Sequence, residues 1–178
     1  MLWRSACVVG AALWLAGCGF TPLYSTKVAQ NSEAVSRMAE ISIAPIPGHN
    51  GQILHNELET LLNPLSTSTP QHYELVVTPE KNLLPVGIER DRRITRYNIV
   101  IRAPYTLKEI ATGRVLDKGK VKVVGSYDSV DSDFATFVAE SDTTERALKD
   151  AARELKMRMT VALLKEERLV HENSSSKD

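Results

Sequence analysis

Cysteine is nearly missing from this sequence of 178 residues: there are two, Cys7 and Cys18, and none after them. The chain beyond Cys18 can therefore build neither a disulfide framework nor a thiolate metal site, and its fold has to be held by burial alone. Histidine is scarce as well. The four, His49, His55, His72 and His171, stand apart, and no HExxH, CxxC, GxSxG or phosphate-loop spacing occurs. His55 and Glu59 are one helical turn apart, a spacing that suits a ligand pair but more often marks a surface contact worth a few tenths, about 0.2–0.5 kcal/mol. The carboxylates are scattered, without a constellation that would tune a pKa for acid or base work. These absences argue against an enzyme and against a metal or other cofactor. An excess of one charge is missing too: 22 basic residues face 22 acidic ones, which leaves no global field to draw in nucleic acid. The apolar run from Ala6 to Ala16 falls short of the roughly 20 residues that span a bilayer.

What is present starts with that run. Arg4, the apolar stretch and the small residues before Cys18 have the layout of a secretory leader, residues 1–17, which is removed. Leu15, Ala16, Gly17 and Cys18 resemble the bacterial lipoprotein signal, in which the cysteine sulfur takes a diacylglycerol and the new amine is acylated. At ~0.8 kcal/mol per buried methylene, more than one such chain makes anchoring effectively permanent. Loss of Arg4 with the leader leaves 21 basic against 22 acidic residues. The mature chain, Cys18 to Asp178, is long enough for one domain and not comfortably for two.

Residues 18–37 show little apolar period and read as a lipidated tether. Ile41 and Ile43 alternate with polar neighbours in a short strand closed by Pro45 and Pro47. Ile53, Leu54, Leu58, Leu61, Leu62 and Leu65 recur at three and four, which predicts an amphipathic helix from 50 to about 63, ending near Pro64. Tyr73, Leu75 and Val77 alternate inward; beyond Pro79 the inward set is expected to resume on the other parity as Leu84, Val86 and Ile88, with a bulge or break at the proline. Tyr97, Ile99, Ile101, Ala103, Tyr105 and Leu107 mark a long strand in which Pro104 predicts an edge position or a bulge. A turn at Ala111 to Gly113 returns the chain through Val121, Val123 and Tyr127. Asp142 and Glu145 suggest a capping box for a last helix from about 142 to 168, whose stripe is Leu148, Ala151, Ala152, Leu155, Met159, Ala162 and Leu163. Residues 170–178 read as a flexible tail. The order strand, helix, three strands, helix gives an α+β fold: a two-layer sandwich with two amphipathic helices on one face of a four-stranded mixed sheet, a single domain over 38–169.

Two features suit binding. Arg90, Arg92, Arg93 and Arg96 crowd a strand junction, where guanidinium groups can contact phosphate or carboxylate bidentately. The same residues suit a solubilising hairpin tip paired with Glu89 and Asp91. Lys118, Lys120 and Lys122 form an outward row beside Arg102 and Lys108; lysines in such a row also blunt a sheet against aggregation.

The segment Cys18, Gly19, Phe20, Thr21, Pro22, Leu23, Tyr24 resembles the mature start of the lipopolysaccharide-assembly lipoproteins of the LptE family, particularly α-proteobacterial ones. The similarity continues through Arg90 to Tyr97, Tyr105, Leu107, Gly113, Tyr127, Phe134 to Ala139, and Ala151, Leu155 and Leu163. The resemblance implies a protein at the inner leaflet of the outer membrane, facing the periplasm. It would carry its lipid on Cys18, plug the lumen of an LptD-type β-barrel, help that barrel assemble and bind lipopolysaccharide. It implies no cofactor beyond the covalent acyl groups and no nucleic-acid partner. Gly19 after the cysteine is compatible with export to the outer membrane. Under this resemblance Arg90, Arg92, Arg93 and Arg96, and secondly Lys118, Lys120 and Lys122, are expected to contact lipopolysaccharide or the barrel wall, while Phe20, Leu23 and Tyr24 dock on the domain or the barrel mouth. The rival from another class is an auxiliary lipoprotein of an ABC-type lipid transport system, and a structural envelope lipoprotein is the third.

Overall fold

A computed structural model describes residues 36–175 apart from 65, 67 and 89–93. After a helical turn at 36–38, the elements are β1 (Ile41–Ile43), α1 (His49–Leu62), β2 (Tyr73–Val77), β3 (Glu80–Ile88), β4 (Ile94–Glu109), β5 (Val115–Asp128) and α2 (Asp133–Ser175). The expected α+β sandwich forms, with a mixed sheet of five strands. β4 is its axis. One flank of β4 carries β5 along most of its length; the other carries β2 beside Tyr105–Glu109 and β3 beside Ile94–Arg102, with β1 parallel to β2 beyond.

The inward set expected for β3 is overturned by this register. β2 pairs Leu75 with Leu107 and Val77 with Tyr105, and β3 continues on the same diagonal, Lys81 with Ile101 and Leu83 with Ile99. No residue is gained or lost at Pro79, so the parity does not switch, and Leu84 and Val86 lie on the outer face, about half exposed. Irregularity comes later, around Gly87. β2 and β3 are thus one line of strand broken at Thr78–Pro79, which is why three long strands become four.

Pro104 also departs from expectation, since it sits within the central strand. It is tolerated because its missing N–H falls opposite that break: Thr78 N–H donates to Pro104 O at 3.1 Å, and no donor is required in return from a ladder that ends there. The β4–β5 turn is closed by Gly113, whose φ of 69° is the left-handed conformation that the Gly113 N–H to Glu109 O bond needs.

Both helices cover the face formed by the odd-numbered residues of β4 and β5. α1 buries Leu54, Leu58 and Leu62, four residues apart; α2 buries all seven stripe residues together with Ala147. These meet Leu75, Ile99, Ile101, Leu107 and Val121 in one core. Each fully buried leucine contributes about 1.5–3 kcal/mol of transfer free energy.

α2 is longer than its stripe predicts. It starts at Asp133, not 142, because Ser132 Oγ accepts the Ala135 N–H at 3.3 Å and so caps a helix that the Asp142 pattern places too late. Asp142 and Glu145 instead pair with Arg146 and Lys149 one turn on. The helix also passes 168 and runs to Ser175. Though 43 residues long, it is not apolar enough to cross a membrane, nor is any helix among the described residues.

Candidate functional site

With the helices on one face, the other face of the sheet is left without a covering element among the described residues. Strand alternation puts the even-numbered residues of β2 to β5 on it. Its middle is basic. Lys118, Lys120 and Lys122 are all exposed and lie cross-strand from Thr106, Pro104 and Arg102. Alternate residues of a strand stand about 6.6 Å apart, so the row is a ladder of ammonium groups with the Arg102 guanidinium beside its last rung. None of these four cations has an ion pair among the described residues, whereas Lys108, at the end nearer the turn, is neutralised by Glu74.

Beyond Arg102 the same face turns apolar. Val100 is 3% exposed, flanked by Val124 and Asn82; Val124, and Leu84 and Val86 further along β3, stand about half exposed. Ser126 Oγ donates to Asn98 Oδ1 at 2.8 Å at its margin. Unpaired cations next to uncovered aliphatic surface can hold an amphiphile, anionic groups on one part and alkyl chains on the other.

Of the residues singled out in the sequence, the structure brings together Lys118, Lys120 and Lys122. Arg96 lies at the far end of the same face, where Asp128 across the strand pair holds its guanidinium through Nε at 2.7 Å and Nη2 at 3.3 Å. That bond raises the pKa of Arg96 and lowers that of Asp128. At Arg96 the structure shows a partner 32 residues away; Glu89 and Asp91, the expected partners of the cluster, lie outside the described residues. Arg90, Arg92 and Arg93 lie outside the described residues, as do Cys18, Phe20, Leu23 and Tyr24.

The inner face at the same end is structural. Tyr97 and Tyr127 stack with centroids 5.5 Å apart, Tyr127 Oη donates to Glu140 at 3.2 Å, and Lys81 Nζ donates to the same carboxylate at 2.6 Å. The Lys81 bond, followed by that from Tyr127, lowers the Glu140 pKa. Burial, aided by the Glu140 charge, pushes the Tyr127 phenol up to about 12. Tyr105 behaves likewise: burial first, then its bond to Asp117 at 2.8 Å, pushes it up to about 12.

His55 Nε2 meets Glu59 at 3.4 Å and His72 Nδ1 meets Glu40 at 3.1 Å, each as a pair without a third ligand. No group of three metal-ligating side chains occurs among the described residues. A groove of about 640 Å³ lies between β1 and α1 and is lined by Ser42, Asn56, Glu59, Thr60 and Asn63, with no nucleophile activated by a base among them.

Sequence reasoning missed the apolar part of the outer face. Leu84 and Val86 alternate as core residues do, and alternation carries no information about which face is covered. Phe134 and Phe137, 76% and 66% exposed on the first turns of α2, were equally invisible as surface residues.

A family model described as Lipopolysaccharide-assembly, LptE, matches residues 38–159. Comparison with curated protein sequences finds no match. Among solved structures, the chain is similar to a protein of Caulobacter crescentus, with a TM-score of 0.61 and 22% identity over 75% of this chain and 97% of that one. It is also similar to rare lipoprotein B from Shewanella oneidensis, with a TM-score of 0.56 and 11% identity over 71% and 96% of the two chains. Lipoprotein B from Nitrosomonas europaea gives a TM-score of 0.53 and 13% identity over 74% and 85%. At these identities the structural likeness speaks for the fold.

Proposed function

Because the chain belongs to the lipopolysaccharide-assembly family LptE, we propose that it is an outer-membrane lipoprotein that plugs an LptD-type β-barrel, helps that barrel assemble and binds lipopolysaccharide bound for the cell surface. Acyl chains on Cys18 hold it at the inner leaflet, facing the periplasm, with the domain reaching into the barrel lumen. Its work is assembly and delivery and involves no catalysis. The observation that carries the reading is the outer sheet face, where four cations without an ion pair among the described residues share one surface with the exposed aliphatic side chains of Val124, Leu84 and Val86. Lipopolysaccharide presents the complementary pair of features, phosphates and acyl chains. Lys118, Lys120 and Lys122, with Arg102, therefore take the phosphates. Arg90, Arg92 and Arg93 are a second contact, together with Arg96, whose guanidinium Asp128 already holds. Phe20, Leu23 and Tyr24 dock the tether on the domain or at the barrel mouth.

Binding of purified lipopolysaccharide to the lipidated chain in detergent tests this. Replacing Arg102, Lys118, Lys120 and Lys122 together by alanine should weaken binding by at least about tenfold, as expected when several charge-assisted contacts are lost. Replacing Arg90, Arg92, Arg93 and Arg96 should weaken it less. Unchanged affinity in both variants would remove these residues from the proposal.

A further inference from the structure

The sheet exposes two long edges among the described residues, β3 on one side and β5 on the other. In a strand, the N–H and C=O of one residue point to the same side in the sheet plane, and successive residues alternate. Thr78 N–H donates to Pro104 O and Ile110 N–H donates to His72 O, so even-numbered residues of β4 bond towards β2 and β3; Glu109 N–H donates to Arg114 O, so odd-numbered ones bond towards the β5 side. The register from Tyr97 opposite Tyr127 to Leu107 opposite Asp117 is unbroken. Odd-numbered residues of β5 therefore complete the ladder with β4. The N–H and C=O of Lys118, Lys120, Lys122, Val124 and Ser126 point away from the sheet.

The opposite edge is built differently. By the same parity its outward positions are 79, 81, 83 and 85, and two of these are Pro79 and Pro85, which have no N–H to offer. β5 holds no proline from Val115 to Asp128. One edge is blocked, and the other is a run of five alternating donor and acceptor pairs. Beside that run stand three lysine ammonium groups with no ion pair among the described residues.

We propose that the free edge of β5 receives an extended segment of another polypeptide as an added strand, with carboxylates at alternate positions matching Lys118, Lys120 and Lys122. Charge complementarity selects this partner. A second copy of the same strand would place lysine next to lysine, a destabilising cross-strand arrangement. Both partners draw on the three lysines, but only the added strand also uses the backbone groups in the sheet plane, so a variant that removes an outward N–H separates the two kinds of binding.

The probe is a synthetic peptide about ten residues long that alternates glutamate with threonine, a length matched to strand addition. It is added to the full lipidated chain in detergent. Val124→Pro removes an outward N–H without touching the lysines or the β4 ladder, and should weaken peptide binding by about tenfold, while Val124→Ala should stay within about twofold. In the unsubstituted chain, which needs no variant to fold, bound peptide should slow amide exchange at Lys118, Lys120, Lys122, Val124 and Ser126 by at least about tenfold and leave Val121 and Val123 unchanged. A peptide with lysine in place of glutamate should not bind. No exchange protection at the five amides under excess peptide, or equal binding by the proline and alanine variants, overturns the proposal. Protection that rises with protein concentration alone overturns the choice of partner in favour of a second copy.

Discussion

Glycine at position 125 sets the packing of α2 against the sheet it lies on. A Cβ added to Gly125 would stand 2.7 Å from Thr143 Cγ2 and 3.8 Å from Ala147 Cβ. Carbon atoms rest at about 3.5–4.0 Å, so the first contact is close by roughly an ångström. Neither neighbour gives way easily. Thr143 and Ala147 are 4% and 2% exposed, a β-branched side chain is stiff in a helix, and Thr143 Oγ1 accepts a bond from Arg146. Overpacking of this kind costs about 1–3 kcal/mol, offset by about 0.4–1 kcal/mol because alanine restricts the unfolded chain at a position whose backbone is an ordinary strand. Gly125→Ala should therefore lower stability by about 1–2 kcal/mol. Thr143→Ser removes Cγ2, keeps the hydroxyl and should cost about 0.5–1.5 kcal/mol alone. In the double variant the added methyl fills the space the threonine methyl left, which predicts a favourable coupling of at least about 1 kcal/mol. Urea unfolding of the unlipidated chain from Gly19, in all four combinations, measures it. Additive losses would mean that α2 does not cross β5 at Gly125.

Three further outcomes follow from the same geometry and sequence. Leu58→Ala, at a fully buried position where α1 meets the core, should cost about 2–5 kcal/mol; a thermal unfolding shift equivalent to less than about 1 kcal/mol would be too small for that site. Tyr105 and Tyr127 have folded pKa values near 12 against 10.0 for a free phenol, so the stability they contribute is whole below pH 10 and lost as pH rises towards 12. Absorbance titration should show at least two phenols ionising late in the folded chain, one fewer in Tyr105→Phe, and the idea fails if all are ionised by about pH 11. Cys18→Ala should abolish palmitate labelling and release the chain from the membrane fraction, and a labelled variant would place the acyl group elsewhere.

The parts legible in the sequence were those where one covered face imposes a period. Leu54, Leu58 and Leu62 on α1, Leu148 to Leu163 on α2, and the alternation from Tyr97 to Leu107 all point at a single core. Where the covering layer ends, the same patterns mislead. Leu84 and Val86 keep the alternation of a buried strand but belong to the outer face, because the register passes Pro79 without a slip. The first turns of α2 present Phe134 and Phe137 to solvent, so no inward stripe announces them, and the Ser132 cap is shown only by its bond to Ala135. For the candidate site, the alternation of Lys118, Lys120 and Lys122 was readable, but their lack of an ion pair among the described residues was not. Pairing depends on residues distant in sequence, as Arg96 and Asp128 show.

The central claim, a barrel partner at the outer membrane, is tested most directly by affinity purification of the tagged, lipidated chain from detergent-solubilised membranes. Recovery of a large outer-membrane β-barrel with lipopolysaccharide is the predicted result. Recovery instead of a permease with its ATPase, or of no barrel at all, would contradict it.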